Sequence, residues 1–77
     1  MTINEDILKG NWKQLRGHVR EWWGRLTDDE IEQINGRKEI LGGMLQEKYG
    51  YTRQEAETAI QEFLDKTEAE LEYRFQR

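Results

Sequence analysis

The residues best placed to do chemistry in this 77-residue chain are four cations, Lys9, Lys13, Arg16 and Arg20, spaced 4, 3 and 4 apart with Trp12 among them. On a helix that spacing makes one basic stripe beside an indole, an arrangement suited to touching phosphates while the ring stacks on a base, or to lying on an anionic membrane surface. The bland alternative is a solvated face whose cations pair with acids elsewhere in the chain. Residues 1–27 carry five basic and three acidic residues, net +2, whereas residues 28–77 carry seven and 13, net −6. Such polarity allows the halves to pair within one molecule or between copies. A sequence pI near 5.0 argues against nucleic acid as the main partner.

Other chemistry has little raw material. His18 is the single histidine, and the chain has no cysteine, serine or proline, so nucleophile–base sets and thiolate or multi-histidine metal sites lack their components. The acids Asp28, Asp29, Glu30 and Glu32 lack the glycine turn and alternating ligands of a calcium loop, and they fit better as the favourable negative charge at a helix start. No enzyme, cofactor, metal or small-molecule substrate is expected. No run approaches the about 20 apolar residues needed to cross a bilayer, and the first nine residues lack the apolar run of a secretory signal, so a cytoplasmic protein is expected.

What must position these side chains is a fold with sparse apolar material. Mean hydropathy is −1.06 and charged residues slightly outnumber apolar ones, yet the net charge is only −4 and eight aromatic residues supply large burial areas. With no proline and abundant Glu, Gln, Lys, Arg and Leu, the expectation is an all-α fold. An internal repeat organises it. Gly10, Gly17 and Gly24 are seven apart, as are Gly36, Gly43 and Gly50. An offset of 26 also lays Leu15 on Leu41, Val19 on Leu45, Glu21 on Glu47 and Trp23 on Tyr49. Beyond each unit, Thr27 to Glu30 and Thr52 to Glu55 read as capping boxes, in which threonine and glutamate satisfy each other's backbone amides.

The repeat predicts a small four-helix domain made of two packed helical hairpins, a single domain spanning residues 1–77. The first helix is expected from about Asn4 to Trp23, with Leu8, Trp12, Leu15, Val19 and Trp22 as its apolar stripe. A short second helix follows Thr27 and presents Ile31 and Ile34. The third, about Arg37 to Tyr49, keeps Leu41, Leu45 and Tyr49 in phase and adds Ile40 and Met44. The fourth, about residues 53–75, carries Ala56, Ile60, Phe63, Leu64, Thr67, Leu71 and Phe75. Gly24 and Gly50 are expected to stop helices, and Trp23 and Tyr49 to occupy equivalent buried positions. Mid-helix Gly10, Gly17 and Gly43 each cost about 1 kcal/mol relative to alanine. They need a reason: close approach of another backbone within the fold, or a surface where a side chain would obstruct a partner.

The run GNWKQLRG at residues 10–17, then WGRLTDD at 23–29, Gly36, and Leu41, Gly43, Gln46, Tyr49 and Gly50 at their spacings resemble the signature of the CsbD-like family of small bacterial proteins. The positions that match are Gly10, Trp12, Gly17, Trp23, Gly24, Leu26, Thr27, Asp29, Gly36, Leu41, Gly43, Gln46, Tyr49 and Gly50, within a family-like core of about residues 4–56. Arg16 departs from a lysine frequent before the glycine, and Trp22 adds an indole to the usual Trp-Gly step. The resemblance implies a small helical bundle and a part in a bacterial general stress response, with no catalytic residue to carry over. The expected partner is another protein or, through the oppositely charged halves, a second copy, with nucleic acid or an anionic membrane surface at the helix-one stripe as the alternative.

Overall fold

Local signals at the helix ends set the architecture. A computed structural model of the protein describes residues 8–75, with side chains as far as Thr67. Residues 8–10 are helical, and four helices follow them: α1 (Trp12–Trp22), α2 (Asp28–Ile34), α3 (Lys38–Tyr49) and α4 (Arg53–Phe75). No strand occurs among the described residues.

Both expected capping boxes form. The Glu30 amide donates to Thr27 Oγ1 at 3.2 Å and the Thr27 amide to Glu30 Oε1 at 2.9 Å; at Thr52 and Glu55 the corresponding distances are 3.0 and 2.9 Å. Each cap satisfies amides that a helix start leaves without partners. At the other ends the mechanisms differ. Gly50 stops α3 with φ +71°, its amide donating to the Gln46 carbonyl at 3.1 Å. α2 ends on Asn35 and Gly36, both left-handed, at φ 47° and 81°. Trp23 ends α1 with φ −129° and ψ 77°, its amide donating to the Val19 carbonyl, and Gly24 is not left-handed. The expectation that Gly24 serves as a glycine stop is therefore corrected.

A second correction concerns the first helix, which is not continuous to Trp23. It breaks at Asn11, whose φ of −116° and ψ of 24° leave the helical region, and a new hydrogen-bond ladder starts from the Asn11 carbonyl. The part expected over residues 4–7 lies outside the described residues. Leu8 nevertheless keeps its place in the core.

The helices pack in series, α1 on α2, α2 on α3 and α3 on α4, and α1 also rests on α4 and closes the bundle. Their shared core joins Leu8, Leu15, Val19, Trp23, Leu26, Ile31, Ile34, Leu41, Leu45, Ala56, Ile60, Phe63 and Leu64. Leu15 and Leu41 are both wholly buried, and so are Val19 and Leu45, as the repeat requires. Phe63 of α4 is the centre of one aromatic group, 5.1 Å from Trp23 and 5.2 Å edge-on from Trp22. Trp22, expected in the apolar stripe, is instead the one large hydrophobic that remains exposed among the described residues, at 39%. The chain leaves the helical path at Trp23, whose indole enters the core as the repeat expects, while Trp22 in the last turn of α1 stays at the surface. Thr67, also buried, donates from Oγ1 to the Phe63 carbonyl at 2.8 Å, which offsets the cost of taking its hydroxyl out of water.

Candidate functional surface

The four cations of the helix-one stripe divide into two pairs. Arg16 reaches Glu32 at 3.6 Å and Arg20 bonds Asp28, so both arginines are engaged with acids of α2. Lys9 and Lys13 are exposed, and neither takes part in an ion pair among the described residues. Trp12 is half-buried against the core, which leaves part of its ring to solvent. His18 approaches Glu21 at 3.6 Å on the same helix. The charge polarity seen in the sequence is thus partly used up inside the molecule, through exposed pairs that each contribute little to stability.

The glycines fall into three kinds. A Cβ on Gly36 would lie 2.8 Å from Lys9 Cα, so here the fold does require glycine, both for its left-handed backbone and for a close approach. Gly42 faces Ile60 at an ordinary 3.8 Å. At Gly10, Gly17, Gly24, Gly43 and Gly50 an added Cβ would meet nothing within 4 Å among the described residues. Close backbone approach was the structural reason expected for Gly10, Gly17 and Gly43, and it fails at all three.

Gly42 and Gly43 instead border an open groove of about 490 Å³ between α3 and α4, with Gln46, Ala56 and Ile60 along it and Lys38, Glu39, Arg53 and Glu57 around it. Its wall mixes both charges with a small apolar floor. Among the described residues no three histidine, aspartate or glutamate side chains gather as a metal site.

The remaining family-pattern residues serve the fold. Trp23, Leu26 and Leu41 are core residues, Thr27 is the α2 cap, and Asp29 is exposed in the first turn of that helix. Tyr49 is half-buried and belongs to a junction that sequence reasoning missed. The Arg25 amide donates to the Tyr49 hydroxyl at 3.1 Å, its guanidinium lies 5.4 Å from the centre of that ring, and it donates to the Lys48 carbonyl at 3.3 Å. Nearby, Lys48 Nζ meets Glu30 Oε2 at 2.6 Å. The Lys48 hydrogen bond, followed by the bond from the Thr27 amide, holds the Glu30 carboxyl below its ordinary value, against a smaller opposing effect of partial burial. The sequence did hold a clue: the glycine repeat has an offset of 26 but the two caps an offset of 25, and Arg25 sits in the longer turn.

Comparison with known proteins gives this arrangement its context. Residues 6–58 match the family model described as CsbD-like. The UPF0337 protein PA4738 of Pseudomonas aeruginosa is 45% identical over 64 residues, covering 83% of this chain and 98% of that protein. A UPF0337 protein of Bordetella pertussis is likewise 45% identical over 64 residues, 83% of this chain and 97% of its own. The UPF0337 protein YjbJ of Escherichia coli K12 is 42% identical over 73 residues, 95% of this chain and 100% of its own. A match over 73 of 77 residues must reach at least residue 73, so the similarity continues through α4, well past residue 58. No solved structure matches the chain.

Proposed function

The chain belongs to the CsbD-like family, and from that premise we propose that it acts without catalysis in a bacterial stress response, protecting other proteins by direct contact. The observation that carries this reading is the pair Gly17 and Gly43. Both are exposed within helices, and both have open space where a side chain would stand. Each costs the helix about 1 kcal/mol relative to alanine. No contact among the described residues requires glycine at either position, whereas bare helix backbone lets a partner chain come close. A polar, cysteine-free surface with net charge −4 also suits a protein that must stay dissolved while others aggregate.

The test is to heat a labile client enzyme with this protein or with an equal mass of an inert one, and to measure the client that stays soluble. The wild type should retain more client, and a Gly17→Ala/Gly43→Ala variant should melt higher yet protect less. Protection no better than that of the inert protein ends the reading.

The second reading, an anionic nucleic acid or lipid partner on the α1 stripe, is favoured by the exposed Lys9 and Lys13. With both arginines already engaged, few phosphates would be neutralised, and the log–log salt slope for duplex DNA should be about two. Gel-shift and liposome assays across salt decide it. Salt-insensitive binding, or a signal unchanged in a Lys13→Ala/Arg16→Ala/Arg20→Ala variant, rejects it.

A further inference from the structure

Four residues form a closed patch on the outer face of α1. Going round Lys13, Arg16, Arg20 and Gly17, each is three or four positions from the next, which makes them surface neighbours on a helix. All four are exposed, and a Cβ added at Gly17 would meet nothing within 4 Å among the described residues. Three cations therefore stand round a recess where the helix backbone is bare. The repeat puts Glu39, Gly42, Gln46 and Gly43 at the same places on α3, where the glycine recurs and none of the four is a cation. On α1 the two arginines are already engaged. Arg16 lies 3.6 Å from Glu32 and Arg20 bonds Asp28, both acids of α2, whereas Lys13 has no ion pair among the described residues.

Three cations select an anionic chain, and the rest of the face narrows which one. No apolar side chain joins the patch: Leu15 and Val19 are buried in the core, and the exposed Trp22 lies about 140° around the helix from Gly17. A bilayer surface takes up apolar side chains beside the cations, whereas a phosphodiester backbone asks only for charge and close approach. The acids of α2 stand where phosphates would. Their pairs with the arginines join side chains that keep between 44% and 68% of their surface in water, and pairs so exposed are held weakly. We infer that the α1 patch is a contact site for the phosphate backbone of nucleic acid, and that α2 masks it, Glu32 and Asp28 holding Arg16 and Arg20 in place of phosphates. The inference rests on the anionic-partner reading of α1 and adds to it a control built into the fold.

The experiment titrates labelled duplex DNA of mixed sequence with the full chain and follows anisotropy across a salt series, on variants whose far-ultraviolet helix signal matches the wild type. The wild type should show a log–log salt slope of about two. Asp28→Asn/Glu32→Gln frees both arginines and should raise the slope to about four, so that between about 50 and 200 mM salt it loses about tenfold more affinity than the wild type does. Glu47→Gln/Glu62→Gln removes the same charge from exposed positions elsewhere and should leave the slope near two. In the unmasked background Gly17→Leu, which fills the recess, should weaken binding severalfold, and Gly43→Leu should not. If the wild type binds and unmasking moves neither slope nor affinity, the mask is overturned and the anionic-partner reading stands. No binding by either protein ends both. A slope raised equally by the Glu47/Glu62 variant attributes the effect to net charge and overturns the mask, and a Gly17→Leu variant without effect rejects the recess as the place of contact. Tighter binding of the unmasked variant to phosphatidylserine vesicles than to DNA rejects nucleic acid as the partner.

Discussion

The turn that joins α1 to α2 and the turn that joins α3 to α4 begin from one repeated pattern and end in different surroundings. Both finish in a threonine–glutamate capping box of nearly the same geometry. Counted from the repeat-equivalent aromatic to the cap, the first connection reads Trp23-Gly24-Arg25-Leu26 and the second Tyr49-Gly50-Tyr51, one residue shorter. The added residue lets the first turn fold back, the Leu26 amide donating to the Trp23 carbonyl at 3.1 Å, so that both Trp23 and Leu26 enter the core. In the short turn Tyr49 stays half-buried, 5.7 Å from Tyr51, and its hydroxyl receives Arg25 from the other turn. A duplicated cap fixes where a helix starts. The length of the loop before it decides which side chain is driven inside.

The largest expected difference between the turns is in burial. Trp23→Ala should cost about 3 kcal/mol, because it empties the space against Phe63, and in a domain of this size that suffices to unfold much of the population. Tyr49→Ala should cost about half as much, since part of its ring is already in water, and Tyr49→Phe about 1 kcal/mol through the lost Arg25 bond. Urea unfolding of the three variants measures this. Equal costs for Trp23→Ala and Tyr49→Ala would restore the equivalence that the repeat suggests and erase the distinction drawn between the turns.

The all-α class, both caps and most of the core were legible because they depend on neighbours in the chain. Threonine three residues before glutamate, and Leu15, Val19, Leu41 and Leu45 at helical spacing, report local physics that the tertiary fold leaves intact. Three features were not legible. The break at Asn11 carries no proline to announce it, and it separates residues whose apolar phase continues through Leu8. The exposure of Trp22 depends on how the chain leaves α1 at Trp23, which periodicity along α1 cannot register; Trp23 is buried as the repeat expects, while Tyr49, expected to match it, is only half-buried. The Arg25–Tyr49 and Glu30–Lys48 contacts join residues 24 and 18 apart, and only the packing of α2 on α3 creates them. Of the candidate surface, the cations were legible as a stripe, while their division into engaged arginines and exposed lysines followed from where α2 lies.

The backbone at the two turn glycines separates the turns again, by a smaller amount. Gly50→Ala forces a side chain into φ +71° and should cost about 1 kcal/mol, although there is room for the methyl group. Gly24→Ala meets neither strain nor contact, and should be neutral or slightly stabilising by reducing the freedom of the unfolded chain. Thermal melts of the pair suffice. A costly Gly24→Ala would mean that the first turn also relies on a glycine conformation.

The smallest effect sharpens the one place where the first cap is richer than the second. Glu30 both closes its capping box and receives Lys48 from the last turn of α3, so its carboxyl is held ionised to lower pH than an ordinary glutamate. Its folded-state pKa lies below its unfolded one, so the stabilisation is fully present above the ordinary glutamate range and is lost as pH falls through the depressed value. Glu30→Gln keeps an acceptor for the Thr27 amide and removes the charge that Lys48 meets. The stability gap between wild type and Glu30→Gln should be small near neutral pH, as expected for a pair partly open to solvent, and should shrink steadily in acid. Lys48→Met should produce the same shrinking gap, because the hydrogen bond from Lys48 is the first cause of the shift. If instead Glu30→Gln opens the same gap, with the same loss in acid, in a Lys48→Met background as in the wild type, then Glu30 acts only as a cap, like Glu55, and Lys48 adds nothing to the α2–α3 contact.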